Sequence, residues 1–129
     1  MRLVSIETRT APFIEMYQKS ASANEYDLVL TPPSSISCKA FEAFCSVYRH
    51  YSDNPYNFEL NCFRRYFEAL QYVEQNASII IADTDQLILS PPEALPEIFH
   101  LSEGVVGSRG ISNGVPEFDI SPHFSKWSA

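Results

Sequence analysis

The hydrophobic and polar positions along the chain follow two alternating spacings, one typical of short buried strands and one typical of amphipathic helices. Short apolar runs predict strands at residues 3–6, 26–30 and 77–82. Apolar residues at helical spacing predict helices at residues 11–20, 36–50 and 58–75. Strands and helices in this order are typical of a parallel sheet with helical crossovers. We therefore expect one α/β domain over residues 1–129, with a mostly parallel sheet flanked by helices.

The C-terminal part of the chain lacks this regular alternation. Residues 93–99 predict a short helix, and residues 104–108 predict one more strand. Residues 109–129 carry Gly, Asn and Pro at intervals, which predicts mostly loop. A loop of this length inside a domain is either functional or a sign that the assignment is wrong. We expect the fold to be incomplete at its C-terminus.

The third predicted helix has an apolar stripe and an arginine that the stripe does not include. The stripe is formed by Phe63, Tyr66, Phe67, Leu70 and Val73. At about 100° per residue, Arg65 lies on the opposite side of the helix, near Glu68 and Tyr72, so core packing does not account for it. A solvated charge is the ordinary state of a single arginine.

The strand with the strongest apolar run ends in two acidic residues, Asp83 and Asp85. Ligands of open α/β sheets bind outside the carboxyl ends of the strands, so both acids lie where a site is expected. Residues i and i+2 of an extended chain point the same way, and two such carboxylates can hold one hard cation, Mg²⁺ or Mn²⁺. The alternative is a polar turn, because Asp favours turns and bonds to nearby backbone.

Composition and charge restrict the classes of partner. The net charge of −7 argues against a nucleic-acid or anionic-membrane partner, because both require a basic patch. Three cysteines without CxxC spacing predict neither a disulfide framework nor a zinc site. The sequence shows no signal peptide and no stretch long enough to span a bilayer, so we expect a cytoplasmic location.

Two segments together resemble the nucleotide-sugar-binding half of GT-A-fold glycosyltransferases. They are residues 54–67 (NPYNFELNCFRRYF) and residues 79–89 (IIIADTDQLIL), and the tail at residues 120–127 (ISPHFSKW) is similar to a segment of some members. In that fold, a helix bearing an Arg and aromatic signature leads into a strand that ends in the DxD motif. The resemblance implies a Rossmann-like, nucleotide-sugar-binding architecture.

The resemblance also implies a metal-dependent donor site. By analogy, Asp83 and Asp85 bind Mn²⁺ or Mg²⁺, which bridges the diphosphate of a nucleotide diphosphate sugar donor. Arg65, or Arg64 if the register is shifted by one residue, helps to position this donor. Family loops after the first strand line the nucleobase pocket, which points loosely to Ser5 and Glu7. His123 is a further candidate metal ligand, since some members place a late His there.

The chain also departs from the family pattern. GT-A enzymes are usually longer and place the acceptor site and a catalytic carboxylate well beyond DxD. The later acids of this chain have no spacing that marks a base; they are Glu93, Glu97, Glu103, Glu117 and Asp119. The catalytic group and the acceptor are therefore unknown, and the chain could be a fragment, a natural truncation or an inactive relative. A truncated sheet would expose apolar surface and favour a homo-oligomer.

Two other function classes remain. A phosphatase of the haloacid-dehalogenase type also has Asp-x-Asp after an apolar strand, but near the start of its domain and with a downstream Lys, for which this chain offers only Lys126. A non-catalytic α/β interaction module, in which Asp83 and Asp85 form only a turn, predicts no metal-dependent ligand binding. Fold alone does not separate these functions.

Overall fold

The structure, a computed structural model, describes residues 1–33, 38–73, 78–95, 97, 100, 106–112, 115–118 and 124–128, with side chains described outside residues 106–118. In chain order its elements are β1 (Arg2–Ile6), α1 (Pro12–Ala23), β2 (Asp27–Thr31), α2 (Lys39–Val47), α3 (Tyr56–Val73), β3 (Ser78–Ala82), a 3₁₀ turn (Pro92–Ala94), β4 (Val106–Ser112), β5 (Val115–Phe118) and β6 (Phe124–Ser128). The predicted α/β class is confirmed.

The sheet is mixed rather than mostly parallel. Its strand order is β2-β1-β3-β6-β4-β5. Strand β1 pairs in parallel with β2 and β3, whereas the pairs β3/β6, β6/β4 and β4/β5 are antiparallel. The prediction of a parallel sheet is therefore correct for β2-β1-β3 alone.

The prediction of mostly loop for residues 109–129 was wrong where the structure describes this segment. Strand β4 continues to Ser112, and β5 and β6 follow it. These strands are short and contain Gly, Pro or Lys, so a reading that requires apolar runs does not detect them. Strand β6 instead obtains its stability from pairing on both sides, with β3 and with β4.

Alternate residues of the central strands face two separate hydrophobic clusters. Leu3 and Ile80 pack with Tyr17 of α1, and none of the three is exposed. Their sequence neighbours Val4, Ile79 and Ile81 pack on the opposite face with Ala69 and Val73 of α3. Each fully buried aliphatic side chain stabilises the fold by about 1.5–3 kcal/mol. The two-residue period of the strands thus builds a sheet between two helices.

Helix α3 has two apolar faces, and the predicted single stripe mixed them. The face toward the sheet contains Ala69 and Val73, which are buried. The face toward α2 contains Phe63 and Phe67, whose rings lie 5.1 and 5.4 Å from that of Phe44. The stripe joined residues from both faces because a pattern alone does not reveal which neighbour covers a helix.

This arrangement corrects the expected position of Arg65. One helical turn separates Arg65 from Ala69, so its side chain lies on the sheet side of α3 and is only 16% exposed. Leu70, predicted to be in the core, is 44% exposed. Arg65 is thus directed by α3 toward the end of the sheet and not into bulk solvent.

The order of the strands creates a switch point between β1 and β3. From β1 the chain crosses through α1 to β2 on one side, and it returns through α2 and α3 to β3 on the other side. Connections that leave a strand in opposite directions open a crevice at the carboxyl ends of the strands. The residues after Ile6 and after Ala82 border this crevice.

Within the described parts of the chain, we find no helix with the length and apolar character that crossing a membrane requires.

Helix α1 ends in a motif that favours glycine, but this chain places Glu25 there. Glu25 has φ of 62°, and the amides of Glu25 and Tyr26 donate to the carbonyls of Ser22 and Ala21 at 3.2 and 3.1 Å. This is a Schellman motif, in which the left-handed residue is usually Gly. The left-handed conformation costs a residue with a Cβ atom about 1–2 kcal/mol.

We therefore expect Glu25→Gly to raise the free energy of unfolding by roughly 0.5–1 kcal/mol, since Gly removes the strain but adds freedom to the unfolded chain. Urea denaturation measures this change. Glu25→Ala is the matched control, because it removes the charge and keeps the Cβ atom. An equal gain in both variants would show that charge, not backbone conformation, is responsible.

Candidate functional site

A cleft of about 630 Å³ lies at the carboxyl ends of β1 and β3. Most of its lining comes from the end of β1 with the loop after it, the turn after β3 and the N-terminal part of α3, and Pro33 and Asn54 complete it. The structure places Asp83, Asp85 and Arg65 together in this cleft, although they come from sequence positions up to 20 residues apart. Four acidic and three arginine side chains line the cleft, so its two signs of charge are nearly balanced; they are Glu7, Glu59, Asp83, Asp85, Arg9, Arg64 and Arg65.

The two acids of the DxD motif have different environments. Asp83 follows β3 directly, is 15% exposed, and accepts a hydrogen bond from Nη1 of Arg65. Asp85 is exposed and makes no hydrogen bond or ion pair with any residue that the structure describes. The chain turns at Thr84 and Asp85, so the extended geometry that predicted both side chains on one side does not apply.

Arg65 contacts the side chain of Tyr66, which in turn packs against Trp127. Its guanidinium lies 5.0 Å from the ring of Tyr66, and its Nη2 donates to the Tyr66 hydroxyl at 3.1 Å. The Tyr66 ring in turn lies 5.3 Å from that of Trp127 in β6. Burial raises the pKa of Tyr66, although the Arg65 charge opposes this rise. Strand β6 therefore contributes indirectly to the position of Arg65.

Arg64, the alternative to Arg65, has a different main contact. Its Nε pairs with Glu68 one turn further along α3, and its guanidinium lies 5.9 Å from the ring of Phe41. The Glu68 side chain is only 4% exposed, so this pair belongs to the packing of α3 and α2. Arg65, by contrast, is bonded to Asp83 of the DxD motif.

Glu7 is held by five hydrogen-bond donors at the end of β1. Its carboxylate accepts the amides of Thr8 and Arg9 at 2.8 Å each, and two side-chain nitrogens of Arg9 at 2.9 and 2.7 Å. The hydroxyl of Thr84 is the fifth donor. Burial opposes ionisation of Glu7, but the hydrogen bonds from Arg9 and Thr84 outweigh it and lower the pKa to about 2. A carboxylate offers about four lone-pair sites, so Glu7 has no capacity left for a ligand.

Arg9 is a cleft residue that the sequence analysis missed. Besides its two bonds to Glu7, its Nη2 lies 3.5 Å from Oγ1 of Thr84, and its guanidinium lies 5.0 Å from the ring of Phe13. The side chain is nevertheless 53% exposed. The rule that ligands bind beyond the carboxyl ends of strands also applies to β1, and it would have identified Arg9 three residues after Ile6.

The turn after β3 is fixed from two directions. Thr84 is 2% exposed and donates to Glu7, which joins the turn to the end of β1. Beyond the turn, the amide of Ile88 donates to Oγ of Ser20 at 3.0 Å, and its carbonyl accepts from the Asn24 side chain at 2.8 Å. Ile88 thus ties the segment after the turn to α1.

Ser5 does not line the cleft, contrary to its expected role in a nucleobase pocket. Its side chain is fully buried and donates to the carbonyl of Ala82 at 2.7 Å, so the Tyr17 hydroxyl, 2.6 Å away, donates to Ser5. Burial raises the pKa of Tyr17 to about 12. Ser5 thus joins β1 to β3.

His123, the further metal ligand expected from the resemblance, lies outside the described residues.

The opposite wall of the cleft carries a second hydrogen-bonded group that the sequence did not reveal. The Tyr48 hydroxyl donates to Oε2 of Glu59 at 2.5 Å, and Nδ1 of His50 lies 2.7 Å from the same oxygen. Hydrogen bonds from Ser52 and Tyr48 lower the pKa of Glu59, and the Glu59 carboxylate raises the pKa of Tyr48 to about 12. These contacts tie the loop after α2 to α3 beside the cleft.

The carboxylates fit a hard cation only if a ligand completes its coordination. Across the part of the chain with described side chains, no group of three or more His, Cys, Asp and Glu residues could hold a metal ion. Magnesium and manganese are commonly bound by one or two carboxylates together with water and substrate phosphates. Asp85, with Asp83 beside it, fits this open type of site and does not fit a closed cage of protein ligands.

The chain was also compared with known proteins. No family model matches it, and no match was found among curated proteins or solved structures.

Proposed function

We propose that the cleft binds a nucleotide diphosphate sugar through Mn²⁺ or Mg²⁺ at Asp85 and Asp83, and that the chain is a glycosyltransferase of GT-A type or its donor-binding portion. The observation that carries the proposal is the exposed carboxylate of Asp85. Every other acid that lines the cleft is engaged by a neighbouring side chain, so Asp85 is the cleft carboxylate most open to a ligand.

The cleft also has the shape and lining that such a donor requires. A volume of about 630 Å³ lies within the range of small-molecule sites. Phe58 and Phe63 of α3 contribute apolar surface, and the loop after β1 and the turn after β3 contribute the charged residues Glu7, Arg9, Asp83 and Asp85. Apolar surface suits a base or sugar ring, whereas the charged residues suit phosphates.

The residues of the chain have separate roles in this proposal. Asp85 and Asp83 hold the cation, Arg65 holds Asp83 in place, and the bond between Thr84 and Glu7 fixes the turn that carries both acids. When bound, the cation neutralises the charge that develops on the departing nucleoside diphosphate without proton transfer. The acceptor and the catalytic group are left open.

The phosphatase alternative has weaker support. A phosphatase of that type uses the first acid of Asp-x-Asp as a nucleophile, and in this chain that acid is bonded to Arg65. Lys126, the only lysine after the motif, is 5% exposed within β6. The interaction-module alternative predicts that no nucleotide binds, so the same experiment tests it.

Titration calorimetry of UDP and GDP, with and without Mn²⁺, tests the proposal. We expect one nucleotide to bind in the presence of Mn²⁺, and its affinity to fall roughly tenfold or more without the metal or in Asp85→Asn. Glu93→Gln is the matched control, because it removes one exposed carboxylate outside the cleft.

A loss of affinity restricted to Asp85→Asn would support the site, and an Asp83→Ala/Asp85→Ala double variant should then abolish binding. If folded wild-type protein binds neither nucleotide under any condition, the donor-site proposal is wrong and the interaction module becomes the better interpretation. Equal loss in Asp85→Asn and Glu93→Gln would indicate a general charge effect in place of a site.

A further inference from the structure

We propose that Arg9 binds the diphosphate of the ligand and that Glu7 and Thr84 are the residues that position it. This inference rests on the proposed function, since it names the residue that recognises the anionic part of the same donor. The chemical class it specifies is a diphosphate, carried by a nucleotide or free in solution.

The three arginines that line the cleft differ in their partners and in their exposure. Arg65 is bonded to Asp83 and is 16% exposed, and Arg64 is paired with Glu68 and is 30% exposed. Arg9 is 53% exposed, so its side chain is the most accessible of the three. A diphosphate placed beside Asp83 and Asp85 needs nearby positive charge to offset their repulsion, and Arg9 is the cleft arginine best placed to provide it.

The guanidinium of Arg9 has a fixed orientation. Its Nε and Nη2 donate to the two oxygens of Glu7 at 2.9 and 2.7 Å, which is the bidentate geometry of a guanidinium and a carboxylate. Nη1 has no hydrogen-bond partner within the described part of the chain. The guanidinium is thus fixed along one edge, and its other edge keeps donors for phosphate oxygens.

Glu7 has no lone pair left with which to hold a ligand. Its carboxylate already accepts five donors, so Arg9 is the residue of the β1 loop that keeps hydrogen-bonding capacity toward the cleft. The bond to Thr84 also connects this loop to the turn that carries Asp85. The position of Arg9 and the position of the candidate cation ligand are therefore set by one hydrogen-bonded network.

The charges around Arg9 agree with this role. The pKa of Arg9 is raised by its bond to Glu7, against the effect of burial, and further by the charges of Asp85 and Asp83. Arg9 thus remains a cation while facing the DxD motif. Together, Arg9 and Asp85 give the cleft one positive and one negative group directed at a ligand, the pattern expected for a phosphate that arrives with a divalent cation.

The test compares ligands that differ only in phosphate. Calorimetry with Mn²⁺ should show that Arg9→Gln weakens UDP binding about tenfold and leaves uridine binding within about twofold of wild type. Inorganic pyrophosphate, used as a second probe, should lose affinity in parallel with UDP. Arg49→Gln is the matched control, because Arg49 is exposed and does not line the cleft; it should change none of the three affinities.

The positioning role of Glu7 has its own readout. Glu7→Gln should lower the ratio of UDP to uridine affinity, and loss of stability alone would not change this ratio. Arg9→Lys keeps the charge but not the fork that matches Glu7, so it should restore UDP affinity only in part.

The outcomes separate this inference from the proposed function. If wild type binds UDP with Mn²⁺ and Arg9→Gln binds it equally well, the assignment of Arg9 is wrong and the donor site stands. If wild type binds pyrophosphate through Arg9 but binds neither UDP nor GDP, Arg9 is confirmed as an anion-binding residue and the nucleotide-sugar proposal fails. If wild type binds none of these probes, both are overturned.

Discussion

Replacing Asp83 by Asn should lower the free energy of unfolding by about 2–3 kcal/mol, whereas Asp85→Asn should leave it within about 0.5 kcal/mol of wild type. Asp83 is bonded to Arg65, and both side chains are about five-sixths removed from water. Removing one charge from such a pair leaves the other in a poorly solvated place. Asp85 is exposed and bonded to no described residue, so it has no such partner to lose.

Urea denaturation of both variants measures this difference. A double-mutant cycle with Arg65→Gln should give a coupling energy of about 1 kcal/mol or more for the pair, since the two side chains are in contact. Equal stability of the two Asn variants would contradict the assignment of Asp83 to a structural pair. The result also bears on the binding experiment, because Asp85→Asn then reports ligand binding without a loss of folded protein.

Replacing Glu7 by Gln should cost about 2 kcal/mol of unfolding free energy near pH 6, and the difference from wild type should fall to less than half of this by pH 3. The folded-state pKa of Glu7 is about 2, against an ordinary value of 4.5. Because the folded-state pKa is depressed, the stabilisation is complete above pH 4.5 and is lost as the pH falls toward 2. The expected loss of unfolding free energy is smaller than the full pKa shift of Glu7 implies, because Arg9, its main partner, is half exposed and solvent screens the pair.

Urea titrations at several pH values between 6 and 3 provide the measurement. Glu15→Gln is a suitable control, because Glu15 forms an exposed ion pair with Lys19 on α1 and should show a small difference at every pH. A difference between wild type and Glu7→Gln that stays constant from pH 6 to pH 3 would show that Glu7 stabilises the fold through packing and not through its charge.

The sequence predicted those strands and helices in which apolar residues recur at a clear spacing and cover one buried face. The apolar run of β3 and the amphipathic pattern of α1, with Pro12 in its first turn, are examples. The tail was predicted poorly because β6 has only five residues and is specified by its pairing with β3 and β4. Pairing across the chain is a tertiary interaction, and local propensity contains little information about it.

In the candidate site, too, the sequence predicted what depends on neighbouring residues and did not predict what depends on tertiary contacts. The rule for the carboxyl ends of strands predicted that Asp83 and Asp85 would lie in one crevice. It could not predict that they differ, because the difference depends on where the chain turns and on the face of α3 that carries Arg65. Nor could it predict that Glu7 is occupied by Arg9, since that contact depends on the path of a short loop.

The place of β6 between β3 and β4 has a consequence for how the protein is made. Until the ribosome has synthesised Phe124–Ser128, β3 has one open edge, although β1, β2 and the first three helices are already available to form a sheet. At about 5–20 residues per second, synthesis of residues 83–123, which lie between these strands, takes several seconds. During this interval the most apolar strand of the nascent chain presents unpaired backbone groups, so recruitment of a chaperone would be most useful then.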